Sequence, residues 1–121
     1  MTGPRRVDAL LAQARRRLAR LTAGEAFAAW QDGALLVDTR SPDEQREQGC
    51  TIPGAVEHPL SVVLWRLDEL PRDTRVILIC RHGYSSSLAA AQLLELGFDA
   101  TDVIDGVEGW RSAGLPLVVP G

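Results

Sequence analysis

The stretch RVILI, Arg75 to Ile79, constrains this chain more than any other segment. Four consecutive apolar residues with no polar residue at alternate positions suit a strand whose two faces are both covered. ALLVD, Ala34 to Asp38, has the same character, and ATDVI, Ala100 to Ile104, is another strand. Helical signals fall between them. Thr22 is an N-cap with Glu25 as its capping-box partner, opening a helix that runs to about Gln31 and closes at Asp32-Gly33. Ser41-Pro42 can start a short helix within the polar run Arg40 to Thr51, and Ser61 to Leu70 reads as helical. Ser86 to Leu96 is a helix with Gly97 at its C′ position, and GVEGWRSAG, Gly106 to Gly114, is a short final one. IPGAVEH makes a turn and a short strand through Ala55 and Val56. Unbroken apolar strands alternating with helices define an α/β chain: a parallel sheet with helices on both faces.

Pro4 can sit in the first turn of an N-terminal helix, along which Val7, Leu10, Leu11, Ala14, Leu18 and Leu21 recur at helical spacing. Arg15, Arg16, Arg17 and Arg20 gather toward its end, where cations suit the helix dipole. This divides the chain into a helical extension, 1–19, and a domain, 20–121. The extension would pack on the domain or on a second copy, giving a homodimer. The 121 residues suit one core. No apolar run approaches the roughly 18 residues of a membrane span. A net charge of −3 argues against nucleic acid as a partner. Every basic side chain is arginine, which excludes Schiff-base and P-loop lysines. Cys50 and Cys80 are too few for a disulfide framework, and no Cys/His cluster suggests a metal. With no secretory apolar region at the N-terminus, a reducing, cytoplasmic setting is expected.

The chemistry gathers where RVILI ends. Cys80 closes the strand, and the next helix begins about five residues later, so CRHGYSS must curl tightly around Gly83. A curled loop at a helix N-terminus aims several N–H groups at one point and makes an anion nest. A thiolate at its base is stabilised by those amides and the helix dipole, and is nucleophilic near neutral pH. Arg81 and His82 add positive potential, while Ser85 and Ser86 can cap the helix or donate to the sulfur. An inert strand-end cysteine with capping serines is the plainer alternative. Cysteine phosphatases use Cys-x5-Arg, with the arginine forked onto phosphate. Counted from Cys80 that position is Ser86, so the loop suits a smaller or less charged group than a phosphate monoester.

With these residues in place the chain resembles the rhodanese-like sulfurtransferase family. LLVDTRSPDE looks like the family's Asp-x-Arg strand end with its acidic follower, and IPGA like its turn before the next strand. CRHGYSS resembles its active-site loop, Cys80 to Ser85, and DGVEGWRSAGLPL its closing Gly-x-x-x-Trp signature. The segments are in family order over about residues 20 to 117, and VLWRLD resembles a bacterial single-domain subgroup. The chain has GCTIPGA where the family often has a histidine before Ile-Pro-Gly-Ala. The resemblance implies a rhodanese-like parallel five-stranded sheet and a persulfide cycle. Cys80 takes the outer sulfur of a donor such as thiosulfate and passes it to cyanide or a thiol, without metal or organic cofactor. Arg81, His82, Gly83, Tyr84, Ser85 and Ser86 would form the substrate-binding loop. Asp38 and Arg40 would be a strand-end salt bridge, supported by Glu44.

Other residues have two readings each. Arg66 either attracts an anionic donor or is a solvated helix charge. Trp65 and Trp110 read as core, and His58 as a strand-edge residue. Cys50 reads as a spare thiol, although a resolving role for an oxidised Cys80 would need the two Cα atoms within about 7 Å. Two other functions compete with sulfur transfer: a non-catalytic binding module of the same fold, and a cysteine phosphatase or arsenate reductase.

Overall fold

The computed structural model describes residues 6–119. The helix start expected at Pro4 lies outside them. In chain order the elements are α1 (Arg6–Arg16), α2 (Ala23–Gln31), β1 (Leu35–Asp38), α3 (Pro42–Gln48), β2 (Val56–Glu57) and α4 (Leu60–Val63). A 3-10 segment (Leu64–Glu69), β3 (Val76–Ile79), α5 (Ser85–Glu95), β4 (Ala100–Asp102) and α6 (Gly106–Ser112) follow. The strands pair in parallel in the order β2-β1-β3-β4.

The sheet has four strands, not the expected five. Leu21 makes only a single parallel bridge, to Val103 just beyond β4, because the chain turns at once into the capping box of α2. Thr22 Oγ1 accepts from Glu25 N–H while Glu25 Oε1 accepts from Thr22 N–H, as the sequence predicts. The segment before Ile52 is held by reciprocal backbone bonds of 2.8 Å between Thr51 and Val118.

Strand alternation sorts the apolar residues onto two faces. Val37, Val76, Leu78 and Ala100 pack with Leu18, Val63, Leu93 and Phe98 under α1, α4 and α5. Leu36, Ile77, Ile79 and Val103 pack with Ala26, Ile52, Val107 and Trp110 under α2 and α6. Trp110 is fully buried beside Phe27 and Trp30. Trp65 is not core: it is 85% exposed. The helix expected over 61–70 tightens into 3-10 geometry, and Arg66 departs from helical backbone (φ −119°, ψ 32°). Spacing by 3.6 residues therefore fails to bring Trp65 to the core face. α1 packs along α5, so the N-terminal helix is part of the fold's outer layer.

The register places the site. Asp38 pairs with Ile79 and Leu78 with Asp102, so β1, β3 and β4 all end at one edge. Cys80 lies two residues beyond Leu78, and side chains alternate, so Cys80 and Asp102 share the face covered by α5.

Candidate active site at the Cys80 loop

Between Ile79 and Ser85 the chain has five residues in which to leave a strand and enter a helix. Gly83 makes the turn at φ +88°, and a Cβ there would stand 2.9 Å from Asp105 N. The loop lies against the start of α6. Gly106 (φ +57°) approaches so closely that a Cβ would fall 2.3 Å from Cys80 O. Val107 N–H donates to Cys80 O at 2.8 Å and Glu108 N–H to Arg81 O at 3.3 Å. The first amides of α6 thus find acceptors in the loop, and the loop's shape depends on the GVEGW segment.

Cys80 is 4% exposed. Gly83 N–H donates to Cys80 Sγ at 3.1 Å, and Ser86 Oγ lies 3.2 Å from the same sulfur. The N–H groups of Arg81, His82, Tyr84 and Ser85 donate to no other described group. They stand at the N-terminus of an 11-residue helix, where the dipole favours negative charge. Tyr84, not a serine, occupies the N-cap position and makes no side-chain cap. Ser86 turns inward instead, fully buried. A pocket of roughly 180 Å³ is lined by Glu44, Cys80, Arg81, His82, Tyr84 and Ser85. Arg81 Nη1 pairs with Glu47 at 2.6 Å, whereas its Nε is buried and has no partner among the described residues.

The supporting residues divide. Asp38 and Arg40 form the expected pair, both fully buried: Arg40 Nη2 donates to Asp38 Oδ2 at 2.7 Å, and Arg40 N–H and Nε to Oδ1 at 3.0 Å. Burial disfavours the charged guanidinium, but the hydrogen bonds and charge of Asp38 outweigh it and hold Arg40 above its ordinary value. Glu44 takes no part in this pair. It is the N3 residue of a capping box with Ser41, which engages its Oε1 locally, and it reaches the site as a pocket wall. Arg66 pairs with Glu69 at 3.3 Å on the surface and is not among the pocket-lining residues. Cys50 is a free, buried thiol in the core under α2 and α6, with Arg111 Nη2 donating to its sulfur at 3.1 Å. His58 is half-buried and its N–H donates to Asp38 O at 3.1 Å.

The sequence reading missed Asp102. It is fully buried at the end of β4, with Ser86 Oγ at 2.8 Å and Ser87 Oγ at 2.7 Å from Oδ2, and Arg20 Nε at 2.8 Å from Oδ1. A carboxylate inside an apolar strand demands partners, and that was the available signal.

A family model described as "Rhodanese-like domain" matches residues 22–113, which contain the whole Cys80 loop and its α6 support. The chain belongs to the rhodanese-like domain family. This rhodanese-like domain is 37% identical over 90 residues to a protein named sulfurtransferase from Allochromatium vinosum, covering 74% of this chain and 82% of that one. It is 37% identical over 95 residues to the thiosulfate sulfurtransferase GlpE of Actinobacillus pleuropneumoniae, covering 74% and 85%. Among solved structures it resembles a Rhodopseudomonas palustris protein of unknown function described as a "Possible Tyrosine Phosphatase" (TM-score 0.83, 26% identity, 98% of each chain). A rhodanese-related protein from Thermoplasma volcanium is also similar (TM-score 0.74, 27% identity, 84% of this chain and 98% of that one).

Proposed function

We propose that this rhodanese-like domain is a sulfurtransferase of the thiosulfate type, with Cys80 carrying the transferred sulfur. The observation that carries the reading is a cysteine lining a small pocket, with Gly83 N–H donating to its sulfur and neighbouring loop amides without acceptors among the described residues. In the first half-reaction the Cys80 thiolate attacks the outer sulfur of thiosulfate. The new S–S bond forms on Cys80, the old one breaks, and sulfite leaves with its electron pair. The loop amides and the α5 dipole hold the resulting persulfide anion. In the second, cyanide or a thiolate attacks the terminal sulfur and leaves as thiocyanate or a persulfide, restoring the Cys80 thiolate. The buried Arg81 Nε lacks an acceptor among the described residues, and a sulfonate oxygen of the donor would supply one. His82 and Tyr84 form the exposed wall of the pocket mouth.

The cycle is ping-pong. Thiocyanate formation from thiosulfate and cyanide should give parallel double-reciprocal lines, and Cys80→Ser should reduce it to the uncatalysed background. A Cys80→Ser protein as active as the parent overturns the reading.

A phosphatase reading draws on the description of the Rhodopseudomonas palustris structure. Against it, the position that would carry the phosphate-binding arginine is Ser86, fully buried and tied to both Cys80 and Asp102. Hydrolysis of p-nitrophenyl phosphate that is lost in Cys80→Ser would reverse this ranking.

A further inference from the structure

Behind the Cys80 loop lies a polar cluster that takes no direct part in the two sulfur-transfer steps. Asp102 accepts from four donors: Arg20 Nε on Oδ1 (2.8 Å), and Arg20 Nη2 (3.2 Å), Ser86 Oγ (2.8 Å) and Ser87 Oγ (2.7 Å) on Oδ2. Gly83 O, on the loop itself, accepts from Arg15 Nη2 at 2.8 Å and Arg20 Nη2 at 3.1 Å. Both arginines precede residue 22, where the family match begins.

We propose that Ser86, Asp102 and Arg20 form a hydroxyl switch that sets the balance between thiol and thiolate at Cys80, with Arg15 bracing the loop. The proposal rests on Cys80 being the working nucleophile. Ser86 has one hydroxyl hydrogen and two neighbours that can take it: Asp102 Oδ2 and Cys80 Sγ. While Cys80 is a thiol, S–H donates to Ser86 Oγ and the serine hydrogen goes to Asp102. Once the thiol proton has left to solvent, the sulfur can only accept, and the serine hydrogen turns to it. Asp102 then keeps three donors, two from Arg20 and one from Ser87. Ser87 is free to donate there because Gly83 O, its other acceptor at 3.2 Å, is already satisfied by the two arginines. Arg15 Nε, 3.3 Å from Ser87 Oγ, donates to that oxygen and leaves its hydrogen for Asp102. No heavy atom has to move.

Arg20 therefore favours the thiolate twice, by satisfying Asp102 without Ser86 and by cancelling the field of its charge. It and Asp102 act through Ser86 and are positioning residues. The other charged or titratable groups around the loop are Arg81, His82 and Tyr84 within it, Glu44 from α3, Asp105 and Glu108 where α6 packs on it, and the Asp38–Arg40 pair at the end of β1. They are the same in every variant below.

The test is the pH dependence of Cys80 alkylation by iodoacetamide, read by peptide mass mapping so that Cys50 does not contribute. It needs no sulfur donor, so its outcome is independent of whether the chain transfers sulfur. Arg20→Gln should move the alkylation midpoint up by about one pH unit, and Asp102→Asn should move it down by about half a unit or more. The double variant should return near the parent, and Arg20→Lys, which keeps the charge, should stay near it. A purely structural role would give no opposite signs. The proposal is overturned if both single variants shift the same way, or if both stay within about 0.2 units of the parent. Should Arg20→Gln melt below the assay temperature, Asp102→Asn decides: an upward shift or none overturns it.

Discussion

Replacing Gly106 with alanine should damage a site to which residue 106 contributes no side chain. The new Cβ would stand 2.3 Å from Cys80 O and 2.8 Å from both Arg81 C and Gly83 N, all backbone atoms that cannot rotate away. Ordinary contact begins near 3.4 Å, so the loop must retreat by about 1.1 Å. Left-handed backbone at φ +57° costs an alanine roughly 1–2 kcal/mol, and overpacking a rigid contact a further 1–3. A loss of about 2–5 kcal/mol in urea unfolding is expected, read from the midpoint at constant slope. In the protein that remains folded, displacing the nucleophile by this distance should lower sulfur transfer about 100-fold. Gly24→Ala is the control: nothing lies within 4 Å of its Cβ, it sits in α2, and the change should be neutral or stabilise by up to about 1 kcal/mol. Parent-like stability and turnover in Gly106→Ala would refute the account of how α6 shapes the loop.

Three further outcomes are expected. Asp38→Asn leaves Arg40 charged, fully buried and without its carboxylate, and should cost about 3–5 kcal/mol in urea unfolding. A loss below about 1 kcal/mol would count against a structural pair there. Trp110→Ala should cost about 3–5 kcal/mol and Trp65→Ala less than about 0.5, because one is fully buried and the other 85% exposed. Glu25 is held below its ordinary value of 4.5, first by the Thr22 backbone hydrogen bond and then by the Thr22 hydroxyl. A depressed carboxylate stabilises the fold above its unfolded value and loses that contribution as pH falls through the folded one. The melting temperature of the parent should therefore fall more steeply below pH 4.5 than that of Glu25→Gln, and equal slopes would contradict the capping box.

Local rules were readable in the sequence, and long-range pairings were not. RVILI and ALLVD gave adjacent parallel strands because an apolar run without alternation leaves no other placement. The capping box at Thr22 was legible from residues three apart; the one at Ser41 went unread, and it explains why Glu44 did not join Arg40. Gly83 was legible as the turn of the Cys80 loop, but its dependence on Gly106 was not, since the contact joins two distant segments. Arg20 and Asp102 are likewise far apart in sequence, and each looks ordinary alone: one more arginine in a basic cluster, one polar residue closing a strand. Trp65 misled because a large apolar side chain in a segment read as helical suits the core, while its backbone tightens into 3-10 geometry and kinks at Arg66. Leu21, read as part of the N-terminal helix, instead makes one strand-like bridge to Val103, because α1 ends at Arg16 and Leu21 directly precedes the N-cap of α2.

The central claim is that Cys80 takes up a sulfur atom. Incubation with thiosulfate, followed by intact mass and peptide mapping, measures it directly. The account predicts a gain of about 32 Da, one sulfur, on the Cys80 peptide, absent in Cys80→Ser and removed by cyanide. An unmodified Cys80, or an adduct found only on Cys50, would contradict it.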